Sequence, residues 1–411
     1  MRPTEPSSLG RKSSPAGERR SRRKMAAAVI VLSVLVAIGG FVALLPRPPE
    51  LWLRDVAFAP GDTEALVIGD SDAVGILAKF SGGEFTVLQR IEGRYPYLAD
   101  VDWSVDRLAL VVGNVDGKAF ARLYDGSAVR SVTVPDNRFA LDVVKWSPQG
   151  DRALAAGGGG VVYEYNRTQD AFRSIPLPWL SHIWSIAWAP NGTEALLVGQ
   201  PGAVYRYRQE NGDVLRLTSI DTRVEFFDVA WNAAGTTALI AGAEGIVLRY
   251  DGATLQTVGI IPPRRSGDAL DLHDVEWSPN GSSALITGAE RKIVPTHNTG
   301  EYAPIVAEYD ASTGALSTDS TPLQFSPGQG SPSRIAWASD GRIFVTSGTS
   351  LYRWSPAGLS RVYQAQSPLY AVSISSSNLV MFCGTESRVY ALRDSNLVED
   401  LTPRLMGALG G

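Results

Sequence analysis

The sequence predicts an all-β fold, a β-propeller of eight four-stranded blades (alternatively seven), preceded by a single transmembrane helix. Three observations predict it. The 411 residues include 41 Gly and 25 Pro, a composition suited to many short strands and tight turns. One sequence unit recurs eight times at intervals of about 43 residues, the length of a four-stranded blade. An uncharged run of 21 residues precedes the first unit.

The N-terminal part divides into three segments. Residues 1–24 hold eight Lys/Arg against two acidic residues, which predicts a disordered basic tail. Residues 25–45 carry no charge, and at about 1.5 Å per residue they could cross a bilayer as a helical signal anchor. The positive-inside rule then places the tail in the cytoplasm and exports the rest. A cleaved signal peptide is the alternative, because Ala37-Ile38-Gly39 is a small-x-small triplet. Residues 46–51 form a Pro-rich linker.

The repeated units span the predicted propeller, residues 52–402, and residues 403–411 are predicted to be a flexible tail. Each unit opens with a short strand that ends on an anchor side chain, and the eight anchors are Phe58, Trp103, Trp146, Trp188, Trp231, Trp277, Trp337 and Ile374. A second strand ends on a glycine, expected to give the chain freedom to reverse; the eight glycines are Gly69, Gly113, Gly157, Gly199, Gly242, Gly288, Gly348 and Gly384. A seven-bladed ring would leave one unit over, and the irregular last two units are where that error would lie.

The anchors carry a family resemblance. Trp146-Ser147-Pro148-Gln149-Gly150 and Trp277-Ser278-Pro279-Asn280-Gly281 resemble the Trp-Ser-Pro-Asp-Gly motif of bacterial and archaeal relatives of the WD-repeat family. Tyr124-Asp125, Tyr250-Asp251 and Tyr309-Asp310 stand where that family places Trp-Asp. The resemblance implies a propeller and says little of function, because propellers host lyases, hydrolases and scaffolds alike.

The four strands of a propeller blade are labelled A to D from the channel outward. This order assigns every connection between strands to one of two faces. The D–A and B–C connections share what we call the top face, and the A–B and C–D turns share the bottom face. Arg and aromatic residues, which dominate binding hot spots, collect in the predicted top-face connections. We predict that they form a binding face, although several aromatics could instead cap the core between blades. The predicted binding-face residues are Arg94, Tyr95, Tyr97, Arg138, Phe139, Trp179, His182, Trp184, Arg223, Arg264, Arg265, His273, Arg291 and His297.

Two further features belong to the loops. Repeat 6 has a long B–C insertion, residues 289–304, and long loops on rigid scaffolds are often functional. Possible N-glycosylation sequences begin at Asn166, Asn191 and Asn280, all in predicted bottom-face turns, where Asn-Gly is also ordinary turn chemistry. Cys383, the single cysteine, lies in an apolar run and is predicted to be a buried strand residue.

No catalytic, metal or cofactor site is predicted. His182, His273 and His297 all map to the top face, but their spacing does not favour a shared metal site. Asp55, Asp100, Asp142, Asp228 and Asp274 recur at the start of strand A; a cation-binding ring is one interpretation, and acceptance of backbone N–H groups is the favoured one. The part after residue 24 holds 30 Lys/Arg against 40 Asp/Glu, which argues against a nucleic-acid partner.

The favoured hypothesis is a membrane-tethered, extracytoplasmic scaffold that binds a protein partner at the membrane or cell envelope. The alternative is a propeller enzyme, a lyase or hydrolase with a histidine near the channel mouth. Because the short linker reaches strand A of the first blade, we expect the top face to lie toward the membrane.

Overall fold

The computed structural model describes residues 50–61, 63–217, 224–264, 267–291, 301–318, 326–327, 334–393 and 397–410. The predicted basic tail, the predicted transmembrane helix and most of the linker lie outside these ranges. Within these ranges no helix is both long enough and apolar enough to span a membrane.

The first four blades each use four consecutive antiparallel strands. Blade 1 is β1 (Trp52–Phe58), β2 (Ala65–Asp70), β3 (Val74–Ser81) and β4 (Glu84–Glu92). Blade 2 is β5 (Tyr97–Trp103), β6 (Ala109–Val115), β7 (Lys118–Tyr124) and β8 (Val129–Val132). Blade 3 is β9 (Leu141–Trp146), β10 (Arg152–Gly157), β11 (Val161–Asn166) and β12 (Ala171–Pro176). Blade 4 is β13 (His182–Trp188), β14 (Glu194–Gln200), β15 (Ala203–Arg208) and β16 (Val214–Arg216).

The last four blades repeat this order, and one extra strand joins blade 6. Blade 5 is β17 (Phe226–Trp231), β18 (Ala238–Gly242), β19 (Ile246–Tyr250) and β20 (Leu255–Ile260). Blade 6 is β21 (Ala269–Trp277), β22 (Ser283–Arg291), β23 (Glu301–Asp310) and β24 (Leu316–Thr318), with β25 (Ser326–Pro327) paired to β23. Blade 7 is β26 (Arg334–Trp337), β27 (Ile343–Ser347), β28 (Ser350–Ser355) and β29 (Gly358–Gln364). Blade 8 is β30 (Leu369–Ile374), β31 (Val380–Gly384), β32 (Val389–Leu392) and β33 (Val398–Asp400).

Eight blades are therefore confirmed, and every predicted anchor ends the innermost strand of its blade. The second strands are apolar on both faces, as Leu196 and Leu197 are, and both side chains are fully buried. A single blade has no partner for such surfaces, so packing against the two neighbouring blades stabilises each one. Cys383 is buried in the same way in blade 8, as predicted, and burial raises the pKa of its thiol well above the ordinary value.

A β-bulge recurs near the top of strand A in seven blades. The register of pairing with strand B skips one residue there, and the skipped residues are Arg54, Ala99, Asp142, Trp184, Phe227, His273 and Tyr370. A bulge re-aims the side chain at the extra residue, and six of these seven residues line the cavity at the top of the channel. The bulge therefore adds six residues to the lining of the channel mouth.

The glycines of strand B have a different role from the predicted one. In seven blades a Cβ at this glycine would lie under 3.0 Å from the carbonyl oxygen two residues before the bulge. Close approach of two backbones, and not chain reversal, thus requires glycine. Only Gly348 fits the prediction among these eight, since it follows β27 in a turn with φ of +57° and has open space beside it.

A C-terminal helix closes the ring, which corrects the prediction of a flexible tail at residues 403–411. The helix α1 (Thr402–Gly410) begins where the Asp400 carboxylate accepts a hydrogen bond from the Thr402 backbone N–H at 2.9 Å. Leu401, Leu405 and Leu409 are buried in one cluster with side chains of blades 1 and 8. The helix thus seals the junction of the first and last blades.

The start of the propeller is fixed at the same junction. Leu51 donates its backbone N–H to the Ser387 hydroxyl at 2.8 Å, and the Leu51 carbonyl accepts from the Ser387 N–H at 2.7 Å. Ser387 lies between β31 and β32, in a B–C turn. The chain therefore reaches the ring on the top face.

The two ends of the repeat 6 insertion, residues 289–291 and 301–304, are paired strands, which corrects the prediction of a loop for these residues. Strands β22 and β23 continue their pairing through Ala289↔Pro304, Glu290↔Ala303 and Arg291↔Tyr302. Residues 292–300 lie outside the described ranges.

Candidate functional site at the channel mouth

A polar cavity of about 410 Å³ opens at the top end of the channel. The innermost strands line it with carboxylates, a few cations and aromatic rings. The ionisable and aromatic lining residues are Arg54, Asp55, Asp100, Asp142, Lys145, Trp184, Phe227, Asp228, Asp274, Glu276, Arg334 and Tyr370. Six carboxyl groups against three cations make the cavity acidic in formal charge.

Four of the aspartates join neighbouring blades. Asp55 accepts a hydrogen bond from the Val101 N–H at 3.3 Å, and Asp100 accepts one from the Val144 N–H at 2.8 Å. On the other side of the ring, Asp228 accepts from Val275 at 2.9 Å and Asp274 from Ile335 at 2.6 Å. The four side chains do accept backbone N–H groups, but the donors are not in the aspartate's own loop as expected. Each aspartate accepts from strand A of the next blade, and Asp55 and Asp100 also accept from Val56 and Val101, the following residues of their own strands.

These aspartates form two equivalent pairs, one on blades 1 and 2 and one on blades 5 and 6. Blades 1 and 5 are opposite each other in a ring of eight, and so are blades 2 and 6. In each pair, burial and the neighbouring carboxyl group together raise the pKa of one aspartate. Burial, followed by the charge of Asp100, raises the pKa of Asp55 to about 7. Burial and then Asp228 raise the pKa of Asp274 well above its ordinary value.

Charge compensation differs between the two sides of the channel. The Lys145 ammonium lies 3.5 Å from Asp100 and 3.8 Å from Asp102. Burial lowers the pKa of Lys145, but these carboxylates outweigh it and the pKa is raised. Glu276 occupies the place of Asp102 in blade 6, and burial, followed by the charge of Asp228, raises its pKa to about 8. At neutral pH the Glu276 carboxyl group therefore tends to keep its proton.

The predicted binding residues of blades 1 and 2 lie beside the cavity. The Arg54 guanidinium lies over the Tyr97 ring at 4.9 Å and over the Trp52 ring at 4.8 Å. Arg54 also forms an ion pair with Asp70 at 3.0 Å. Arg94 is exposed in the D–A connection, and Tyr95, with φ of +51°, is 67% exposed.

A second group of predicted residues lies on blades 3 and 4. The rings of His182 and Trp184 are stacked with centroids 3.8 Å apart, and His182 Nε2 lies 2.9 Å from Asp142. Trp179 is largely exposed, with the Arg216 guanidinium 5.6 Å from its ring. Nearby, Phe139 lies against the backbone of Gly159.

The remaining predicted residues are spread more widely. Arg138 is exposed and forms an ion pair with Asp136 at 2.6 Å. His273 packs against Phe227 with ring centroids 5.6 Å apart; burial, and then the charge of Arg334, lowers its pKa to about 4. Arg264 is exposed beyond blade 5, and Arg291 ends β22. Arg223, Arg265 and His297 lie outside the described residues.

The structure does not bring the described histidines together. His182 of blade 4 lies beside Asp142 of blade 3, whereas His273 of blade 6 packs against Phe227 of blade 5. Among the residues described, no group of three His, Cys, Asp or Glu side chains could hold a metal ion.

The three possible glycosylation positions lie in bottom-face turns, as predicted. Asn191 Oδ1 accepts hydrogen bonds from the Thr193 N–H and hydroxyl at 3.0 and 2.9 Å. Asn280 accepts in the same way from Ser282, and Asn166 accepts from the Gln169 N–H at 3.0 Å. Each side chain thus stabilises its own turn. Modification of these residues stays a prediction.

Sequence comparison gives no relative: no protein-family model matches the chain, and no curated protein matches it. Comparison of structures finds a chain of the "Crystal Structure of Mitotic Checkpoint Complex", with 17% sequence identity and a TM-score of 0.52, covering 70% of this chain and 87% of that chain. At this identity the similarity shows the fold alone. The fold is that of a WD-repeat-like β-propeller, here with eight blades and an acidic channel mouth.

Proposed function

We propose that the protein is a membrane-tethered, extracytoplasmic scaffold whose top face binds a protein partner at the membrane or cell envelope. The distribution of exposed apolar side chains carries the proposal. Among the described residues, nine large hydrophobic side chains are exposed. Six of them lie on the top face: Trp52, Tyr95, Trp179, Leu180, Trp184 and Ile260. Grouped exposed aromatic residues mark interaction surfaces.

The tether is supported by the sequence and by the position of Leu51. The uncharged run ends at Leu45, six residues before Leu51, and six extended residues reach at most about 20 Å. Because Leu51 is held on the top face by Ser387, a span over residues 25–45 would keep this face near the bilayer.

The tether is tested with the full chain in native membranes. Resistance to alkaline extraction is expected, as is labelling of Val105→Cys by a membrane-impermeant maleimide added from outside. Cys383 is buried and does not compete for the label. Extraction by alkali, or labelling only after the membrane is opened, would contradict the proposal.

The face is tested with matched substitutions in the same membranes. Combined substitution of Arg94→Ala and Trp184→Ala is expected to abolish chemical cross-linking to the partner, while Val105→Ala on the bottom face leaves it unchanged. Equal cross-linking by both variants would place the interaction elsewhere.

A further inference from the structure

The top face has a charge-free sector at blades 3 and 4. It consists of the D–A connection at residues 177–181 and the flanking B–C turns at residues 158–160 and 201–202. The connection reads Leu-Pro-Trp-Leu-Ser, and the two turns read Gly-Gly-Gly and Pro-Gly. Trp179 is 62% exposed and Leu180 is 78% exposed at the tip of this connection. Both side chains therefore expose apolar surface to solvent.

Hydrogen bonds hold the tip in place. The Gly160 N–H donates to the Ser181 carbonyl at 3.1 Å, and the Leu177 N–H donates to the Gly160 carbonyl at 2.9 Å. Beneath the tip, the Arg216 guanidinium stacks near the Trp179 ring and donates to the Pro201 carbonyl at 3.4 Å. The two apolar side chains are therefore presented by a fixed turn.

The sector lies across the ring from the point where the chain reaches the propeller. Leu51 is at the junction of blades 8 and 1, and blade 4 is opposite blade 8 in a ring of eight. The chain outside the described residues ends on this same face and includes the uncharged run 25–45. A bilayer crossed by that run would be an apolar surface on the side of the ring where the described chain begins.

We propose that Trp179 and Leu180 insert into the interface of that bilayer, as a second membrane contact opposite the tether. This inference rests on the proposed membrane tether. Trp favours the headgroup level, where its ring is buried and its indole N–H stays hydrated, and Leu adds apolar area below it. The part of the chain after residue 24 has ten more acidic than basic residues, so the contact is with uncharged, zwitterionic lipid rather than with anionic headgroups.

The test uses the full chain reconstituted into phosphatidylcholine vesicles that contain doxyl-labelled phosphatidylcholine. Leu180→Cys and, as the bottom-face control, Val105→Cys each carry an NBD fluorophore, while the buried Cys383 stays unlabelled. The inference predicts a blue-shifted emission at position 180 that doxyl lipid quenches, and an unshifted, unquenched emission at position 105. Adding Trp179→Ser should reduce the quenching at position 180, whereas Trp52→Ser, which alters an exposed tryptophan on the same face, should not.

The outcomes separate the inference from the tether on which it rests. If the chain floats with the vesicles but positions 180 and 105 are quenched equally, the lipid contact is overturned and the tether stands. If the chain does not float, both fail. A blue shift at position 180 that appears in native membranes and is absent from pure lipid would point to a protein occupant and would also overturn the lipid contact.

Discussion

The backbone of Gly199 passes so close to His182 that a Cβ on the glycine would overlap the His182 carbonyl oxygen. The same relationship recurs in six other blades, always two residues before the bulged residue of strand A. The glycine thus permits the bulge, and the bulge directs Trp184, like the bulged residues of five other blades, to the channel mouth. The candidate site therefore requires a small residue at this position of strand B.

Gly199→Ala should lower the free energy of unfolding by about 1–3 kcal/mol, because the added methyl must displace the backbone of strand A. Chemical denaturation of the full chain in detergent, followed by tryptophan fluorescence, measures the loss. Gly348→Asn is the control. Gly348 has open space beside it and a positive φ, a backbone conformation that Asn tolerates. The loss in free energy of unfolding for Gly348→Asn should therefore stay below about 1 kcal/mol. Equal losses in both variants would mean that strand A does not approach Gly199 closely.

Asp228 links three blades, because its carboxylate accepts from Val275 of blade 6 and from the Ser185 hydroxyl of blade 4 at 2.7 Å. Asp228→Ala should cost about 1–3 kcal/mol, since the Val275 N–H loses its partner. Asp228→Asn keeps an acceptor oxygen and removes the charge that raises the pKa of Asp274, so it should be nearly neutral. If both variants lost the same stability in denaturation experiments, the hydrogen bonds would not be what Asp228 contributes.

Glu276 should make stability fall as pH rises. Its pKa is about 8 in the folded protein against an ordinary 4.5, so between these values the folded state holds a proton that the unfolded state has released. The contribution of Glu276 to the free energy of unfolding is therefore largest below pH 4.5 and declines as the pH rises to about 8. Glu276→Gln should remove the decline and be more stable than the native chain at pH 9, on the order of 1–3 kcal/mol.

Denaturation curves from pH 4 to pH 9 check this prediction. Asp125→Asn is the control: hydrogen bonds, first from the Ala128 N–H, lower the pKa of Asp125 to about 2, so its removal should leave the slope above pH 4.5 unchanged. A Glu276→Gln variant with the native slope would show that Glu276 ionises at its ordinary pKa.

Two substitutions in helix α1 should have opposite effects on stability. Leu405→Ala should cost about 2–5 kcal/mol because it opens a cavity between blades 8 and 1. Gly407→Ala, at an exposed position of the same helix with nothing near its Cα, should stabilise by about 1 kcal/mol through helix propensity. Thermal unfolding followed by circular dichroism distinguishes them. A Leu405→Ala variant as stable as the native chain would mean that α1 does not seal the ring.

The ring and its blade number were predictable because each blade repeats one strand pattern with one anchor side chain. Trp103, Trp188, Trp231 and Trp277 end strand A, and the indole N–H of each donates to a carbonyl of the preceding blade. The recurring aspartates were also visible, but the identity of their donors was not, because the donors lie in the next repeat. Such contacts depend on three-dimensional register.

Two errors had signals in the sequence. Leu401, Leu405 and Leu409 recur every four residues, and Asp400-Leu401-Thr402-Pro403 offers an N-terminal cap followed by proline, a pattern typical of a helix start. The bulged residues at the channel mouth had a weaker signal: Arg54, Ala99 and Phe227 each directly precede a recurring aspartate. Their orientation could not be predicted, because it depends on one unpaired residue in the ladder.

The central claim, that the top face is the working surface, is tested most directly by a photo-crosslinking amino acid placed at Tyr95 or at Val105 of the full chain in native membranes. The two side chains are similarly exposed, 67% and 61%, but lie on opposite faces. We expect a discrete protein adduct from position 95, lost when Trp184→Ala is added, and none from position 105. Adducts from position 105 alone, or equally from both positions, would contradict it.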